Sequence, residues 1–149
     1  MTALYSRDPI FAQGLIAFQA SVTAAKTTRS GTANATQLLA STEEGQWLTR
    51  LWCRPGDTIA TALRVDLYLS PDGTAALPID SVITGTPTVS ATADIPEYQF
   101  TKWSSDNPLY VPAGWSLWGG LSAAFASGMI ILGQGQAFKS PANANIATA

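Results

Sequence analysis

Between Asp106 and Lys139 the chain carries no charged side chain, its longest such run. Within residues 108–138, Trp115, Leu117, Leu121, Ala123 and Phe125 recur at alternate positions, with Ser116, Gly120 and Ser122 between them. That is the period of a half-buried strand. Ala126-Ser127-Gly128 then turns the chain, and Met129, Ile130, Ile131 and Leu132 open a return strand that ends in Gly133-Gln134-Gly135-Gln136. The pattern predicts a hairpin whose second strand is covered on both faces in its first half. A membrane-spanning helix over residues 115–133 is the rival reading, since the stretch approaches the roughly 20 residues that span a bilayer. Its glycines and glutamines, and the lack of a flanking Lys/Arg cluster, favour the sheet.

Residues 1–14 read as an irregular arm, because Asp8-Pro9 opposes a helix and Tyr5, Ile10 and Phe11 have no local core to fill. Ile16, Phe18, Ala20 and Val22 alternate with Ala17, Gln19 and Ser21, giving a first strand. Residues 25–36 form a polar loop. In the next strand Trp47, Thr49, Leu51 and Cys53 are expected on one face and Leu48, Arg50 and Trp52 on the other. Ile59, Thr61, Leu63, Val65, Leu67 and Leu69 predict the central core strand. Ser70-Pro71-Asp72-Gly73 follows as a turn, and Pro78 assigns the next strand to a sheet edge. A short strand over residues 97–103 leads to the final hairpin. No segment keeps a 3.6-residue period, so seven to nine short strands predict an all-β fold, an antiparallel β-sandwich of jelly-roll type. The domain spans residues 15–139, between the arm and a short, small and polar C-terminal tail, 140–149. That tail is expected to be weakly ordered or to make one contact through Ile146.

Composition narrows the function. Only 12% of the 149 residues are charged, about half the usual ~25%. The net charge of −2, with basic residues scattered singly, excludes the basic stripe of a nucleic-acid binder. The chain has no histidine, which removes the usual general base and the commonest transition-metal ligand. Cys53, the one cysteine, falls on a core face and reads as a buried structural thiol. The carboxylates are dispersed without a calcium-loop spacing; a glycosidase pair facing across a cleft and loose calcium ligands at Asp94, Glu97, Asp106 or Asn107 are the residual possibilities. No catalytic, cofactor or metal site is expected. Stability should change little between pH 5 and 8. The first residues have no apolar signal core, so synthesis in the cytoplasm is expected.

Residues 109–117, Leu-Tyr-Val-Pro-Ala-Gly-Trp-Ser-Leu, and 130–135, Ile-Ile-Leu-Gly-Gln-Gly, resemble the end of small virion proteins of tailed bacteriophages. Trp47-Leu48-Thr49-Arg50-Leu51, residues 63–69 and the Asp72-Gly73 turn are similar as well, so the resemblance covers residues 46–138. It implies a jelly-roll or sandwich module that decorates or cements the capsid by binding the major capsid protein, commonly as a trimer. A receptor- or glycan-binding module of a head or tail fibre is the alternative, and a secreted carbohydrate-active enzyme a third class. In the first reading the protein resides on the capsid surface after synthesis in the host cytoplasm. Its partners are itself, as a homotrimer, and the major capsid protein, with no nucleic acid and no membrane. The expected interface residues are Tyr5, Ile10 and Phe11 of the arm and Trp118, Ile130 and Leu132 of the last two strands. Trp118 is expected to point out of the sheet, covered by another subunit or by a loop such as 83–94.

Overall fold

The computed structural model describes residues 11–139; Tyr5, Ile10 and the tail lie outside the described residues. Among the described residues there are nine strands and no helix. They are β1 (Phe11–Val22), β2 (Thr36–Leu39), β3 (Gln46–Pro55), β4 (Arg64–Ser70), β5 (Leu77–Ile83), β6 (Tyr98–Gln99), β7 (Leu109–Val111), β8 (Ser116–Leu121) and β9 (Met129–Lys139). They form two antiparallel sheets packed as a β-sandwich. One has the order β1-β9-β3-β6, with β7 also on β3, and the other β2-β8-β4-β5.

The core lies between the sheets. Val22, Leu48, Leu51, Cys53, Met129 and Ile131 from the first meet Leu38, Val65, Leu67, Leu117 and Leu121 from the second, all buried. Each large aliphatic removed from water there contributes about 1.5–3 kcal/mol before the entropy of ordering is counted. Gly133 and Gly135 let the sheets and strands close: a Cβ on Gly133 would overlap the Phe18 ring, and one on Gly135 would overlap the Trp47 carbonyl. The Gly-Gln-Gly-Gln alternation therefore records close approach on the inner face of β9.

The expected final hairpin is not formed. β8 and β9 follow one another in sequence but pair in different sheets, so the turn at 126–128 crosses the sandwich. Alternation and an apolar run specify strands, but not which strand each will pair with. β5 does lie at an edge, as Pro78 requires.

In β3 the expected face is right for Leu51 and Cys53 and wrong for Trp47. Leu48 pairs with Gly135 and Arg50 with Gln134, which leaves Thr49 as an extra residue. This bulge reverses the parity: Leu48 turns into the core and Trp47 out to solvent, 42% exposed. The core strand is also shorter than expected, starting at Arg64. Residues 58–63 instead bond to the irregular 84–89 segment, through Leu63 N–H to Thr84 Oγ1 (3.0 Å), Thr84 N–H to the Leu63 carbonyl (2.8 Å) and Ile59 N–H to the Pro87 carbonyl (3.0 Å). Ile59 and Leu63 still reach the core, as their spacing predicts. No helix among the described residues is long and apolar enough to cross a membrane.

Candidate functional site

The two outer faces of the sandwich carry the chain's remaining chemistry. On the outside of the β2-β8-β4-β5 sheet, β4 presents Arg64, Asp66, Tyr68 and Ser70, and β8 presents Ser116, Trp118 and Gly120. The polar loop expected at 25–36 lies across this face. It is fastened by Lys26 N–H to the Leu121 carbonyl (2.7 Å), Thr32 N–H to the Thr74 carbonyl (2.9 Å) and Thr32 Oγ1 to the Gly73 carbonyl (2.7 Å).

Lys26 closes the cover. Only 1% of it is exposed; its stem lies against Gly120, where an added Cβ would come within 2.9 Å of its Cδ. Its ammonium sits 5.0 Å from the Tyr68 ring centroid and donates to the Gly31 carbonyl at 2.7 Å. Such a buried cation is tolerable because carbonyl oxygens and a ring face replace its water.

Beside it, Asp66 accepts two bonds from Arg64 Nε (2.8 and 3.1 Å) and one from the Tyr68 hydroxyl (3.3 Å). Burial first, then the Asp66 charge, pushes the Tyr68 phenol up to about 12. The hydrogen bond from Arg64 to Asp66 raises the guanidinium further above its ordinary value. Arg64, Asp66 and Tyr68 thus form one hydrogen-bonded cluster on the covered face. The Cys53 thiol, buried in the core, is likewise pushed up to about 12 by burial and then by the Glu97 charge, so it keeps its proton near neutrality.

The outside of the β1-β9-β3-β6 sheet is different. Leu15 is 89% exposed, and at the same end Trp47 and Tyr110 flank Phe138. The Trp47 and Phe138 rings meet edge to face at 4.9 Å between centroids, and Tyr110 stands 6.5 Å from Phe138. With Pro108 and Glu44 these rings line an open cleft of about 510 Å³. That is within the ~300–1,000 Å³ range of sites for small ligands. At the other end of the face, Glu97 bridges Arg50 (2.7 Å) and Arg54 (2.8 Å), and the Arg50 guanidinium lies 4.1 Å above the Trp52 ring.

Of the expected interface residues, Tyr5 and Ile10 lie outside the described residues, and of Phe11 only the backbone pairing with Lys139 is described. Trp118 does point outward, half-buried, its indole N–H donating to Ser116 Oγ at 2.8 Å. Ile130 and Leu132 are half-buried on the outside of the opposite sheet. The sandwich therefore separates Trp118 from Ile130 and Leu132, which a single hairpin would have kept together. Strict period-two alternation turns Trp47 inward, and so does not bring it to the aromatic cleft. The one cue to the bulge is chemical: Thr49-Arg50 puts two polar residues side by side within the otherwise apolar run from Trp47 to Cys53.

Among the described residues no group of three potential ligands could hold a metal ion. No protein-family model matches the chain. No curated protein and no solved structure matches it either.

Proposed function

We propose that the chain is a non-enzymatic structural protein of a phage particle, a jelly roll that decorates or cements the capsid as a homotrimer bound to the major capsid protein. The particle comes from the resemblance of residues 46–138. The jelly-roll reading is supported by the strand order, in which the consecutive strands β1 and β2, β3 and β4, and β8 and β9 each lie in opposite sheets, so that β1-β9-β3 faces β2-β8-β4. The observation that carries the assembly role is the set of exposed apolar side chains, Leu15, Trp47 and Tyr110, on the outer face of the β1-β9-β3-β6 sheet. Its edge strand β1 has no charge and no proline over twelve residues, and exposes Leu15. The register of β1 shifts once, between Ala12 and Gly14, but the strand lacks the Lys or Pro with which soluble chains ordinarily blunt an edge, so it fits a surface made to be covered. Mass spectrometry of purified virions tests the reading: hundreds of copies per particle are expected, and absence from the virion overturns it.

A second reading, a glycan-binding fibre module, gains from Trp47, which stands at a cleft rather than in the core. A ring face with a carboxylate beside it suits sugar stacking. A copy number of only a few per particle would favour it.

A further inference from the structure

Trp47, Pro108, Tyr110 and Phe138, with Glu44 beside them, form a largely apolar cleft at the end of the sheet where both ends of the described chain emerge. Phe11 pairs with Lys139 as the last rung of the β1–β9 ladder, and Phe138 is itself a wall of the cleft. We propose that this cleft is the docking site of residues 1–10 of the same chain, with Leu4 and Tyr5 as its anchors. The inference goes beyond the assembly role and does not depend on it.

Reach comes first. Among the described strands β9 lies between β1 and β3, and Trp47, opposite Gln136, stands two strand spacings across and three rungs along from the Phe11–Lys139 pair, about 14 Å from the start of β1. Tyr5 stands six positions before Phe11, and six extended residues span about 20 Å. Composition then selects between the two ends. Residues 1–10 supply Leu4, Tyr5 and Ile10, whereas 140–149 supply Ile146 as their single large apolar side chain. A tyrosine ring with a hydroxyl that can stay wet suits a cleft walled by rings and open to solvent. Linkage decides between the chain's own segment and a neighbour's. A short tether holds Tyr5 at an effective concentration in the mM range, well above that of any second copy in dilute solution.

Hydroxyl-radical labelling of the free, dilute protein tests this, with mass spectrometry reading Trp47 and Tyr110. Removing residues 1–10 should raise labelling of both several-fold, with secondary structure and molecular mass unchanged. A full-length Leu4→Glu/Tyr5→Glu variant should reproduce the rise, which keeps the test valid if the truncated chain folds poorly. Equal labelling of wild type and double variant would overturn the proposal. So would protection lost on dilution together with a fall in mass, which would assign the segment to a second copy. Trp47 that is fully labelled until maltohexaose is added would give the cleft to a saccharide instead. Because no virion enters the experiment, its failure leaves the copy-number test untouched.

Discussion

The outer face of the β2-β8-β4-β5 sheet and that of the β1-β9-β3-β6 sheet start from similar material, a few large rings and a few charges, and end differently. On the first, the 25–35 loop covers Tyr68 and Gly120, and the charges of Lys26 and Asp66 are buried with their partners. On the second, Trp47, Tyr110 and Leu15 remain exposed and the Arg50–Glu97–Arg54 cluster stays at the surface. A polar loop can be a lid when its backbone carbonyls supply what a buried cation needs. In the assembly reading the covered face serves stability, and the exposed side chains of the other face serve contact.

Breaking the covered face should have the largest effect. Lys26→Ala removes the stem packed on Gly120 and the bond to the Gly31 carbonyl, and should destabilise the fold by about 2–4 kcal/mol in chemical denaturation. Lys26→Met keeps the stem and should lose roughly half as much. If Lys26→Ala costs no more than an exposed lysine does, the loop is not a lid and the contrast between the faces disappears.

Tyr68 tests the same face with pH. Its folded value, about 12, lies above the ordinary value of 10, so burial of the neutral phenol contributes stability that is fully present below pH 10. That contribution is lost as pH rises from 10 towards 12, reaching up to about 3 kcal/mol at 1.36 kcal/mol per unit. Tyr68→Phe should flatten the alkaline limb of the stability curve over that window. A limb unchanged in the variant would mean that the phenol is far wetter than its 1% exposure implies. The buried Cys53 thiol adds a similar loss from pH 9 upward, so both profiles are best compared in a Cys53→Ala background.

Much of this architecture was legible in the sequence. β1 and β4 alternate as the sequence implies, Pro78 lies in an edge strand, and the thiol is buried. What could not be read was long-range. Nothing local distinguishes a hairpin turn at Ala126-Ser127-Gly128 from a crossing between sheets, because turn chemistry fixes the reversal and not the partner. The Thr49 bulge reverses a face by one residue, and period-two reasoning has no error signal for it until tertiary pairing is known. In sequence Lys26 stands in a polar loop with nothing to mark it as buried. Its burial depends on Gly120 lying beneath it, nearly a hundred positions away in sequence.

Trp47 probes the open face. Trp47→Ser removes an edge-to-face ring contact with Phe138 at a half-solvated position, so it should cost only about 1 kcal/mol in stability. Binding to capsids stripped of the protein should nonetheless fall measurably if this face makes the contact. A stability loss as large as that of Lys26→Ala would mean that Trp47 is structural, and would remove the open face from the assembly reading.

The smallest effect is expected at the charges that the open face leaves in water. Hydrogen bonding from Arg54 is the main cause holding the Glu97 carboxyl below its ordinary value, with Gln99 and the Arg50 charge assisting. A carboxylate with a lowered folded value contributes stability that is present above the unfolded value of 4.5 and is lost as pH falls through the lowered one. Both arginine side chains are about two-fifths exposed, at 42% and 41%, so solvent screens the network and its contribution should stay under about 1 kcal/mol. Glu97→Gln should therefore lower stability slightly at pH 7 and low salt. The difference should vanish in 1 M salt, where the screening length is about 3 Å, and again at acid pH once the wild-type carboxylate is protonated. By contrast, Asp66→Asn on the covered face should keep most of its cost in high salt, because its carboxylate is only 7% exposed. If both variants lose their effect in salt alike, the two faces are equally wet and the lid over Tyr68 is open in solution.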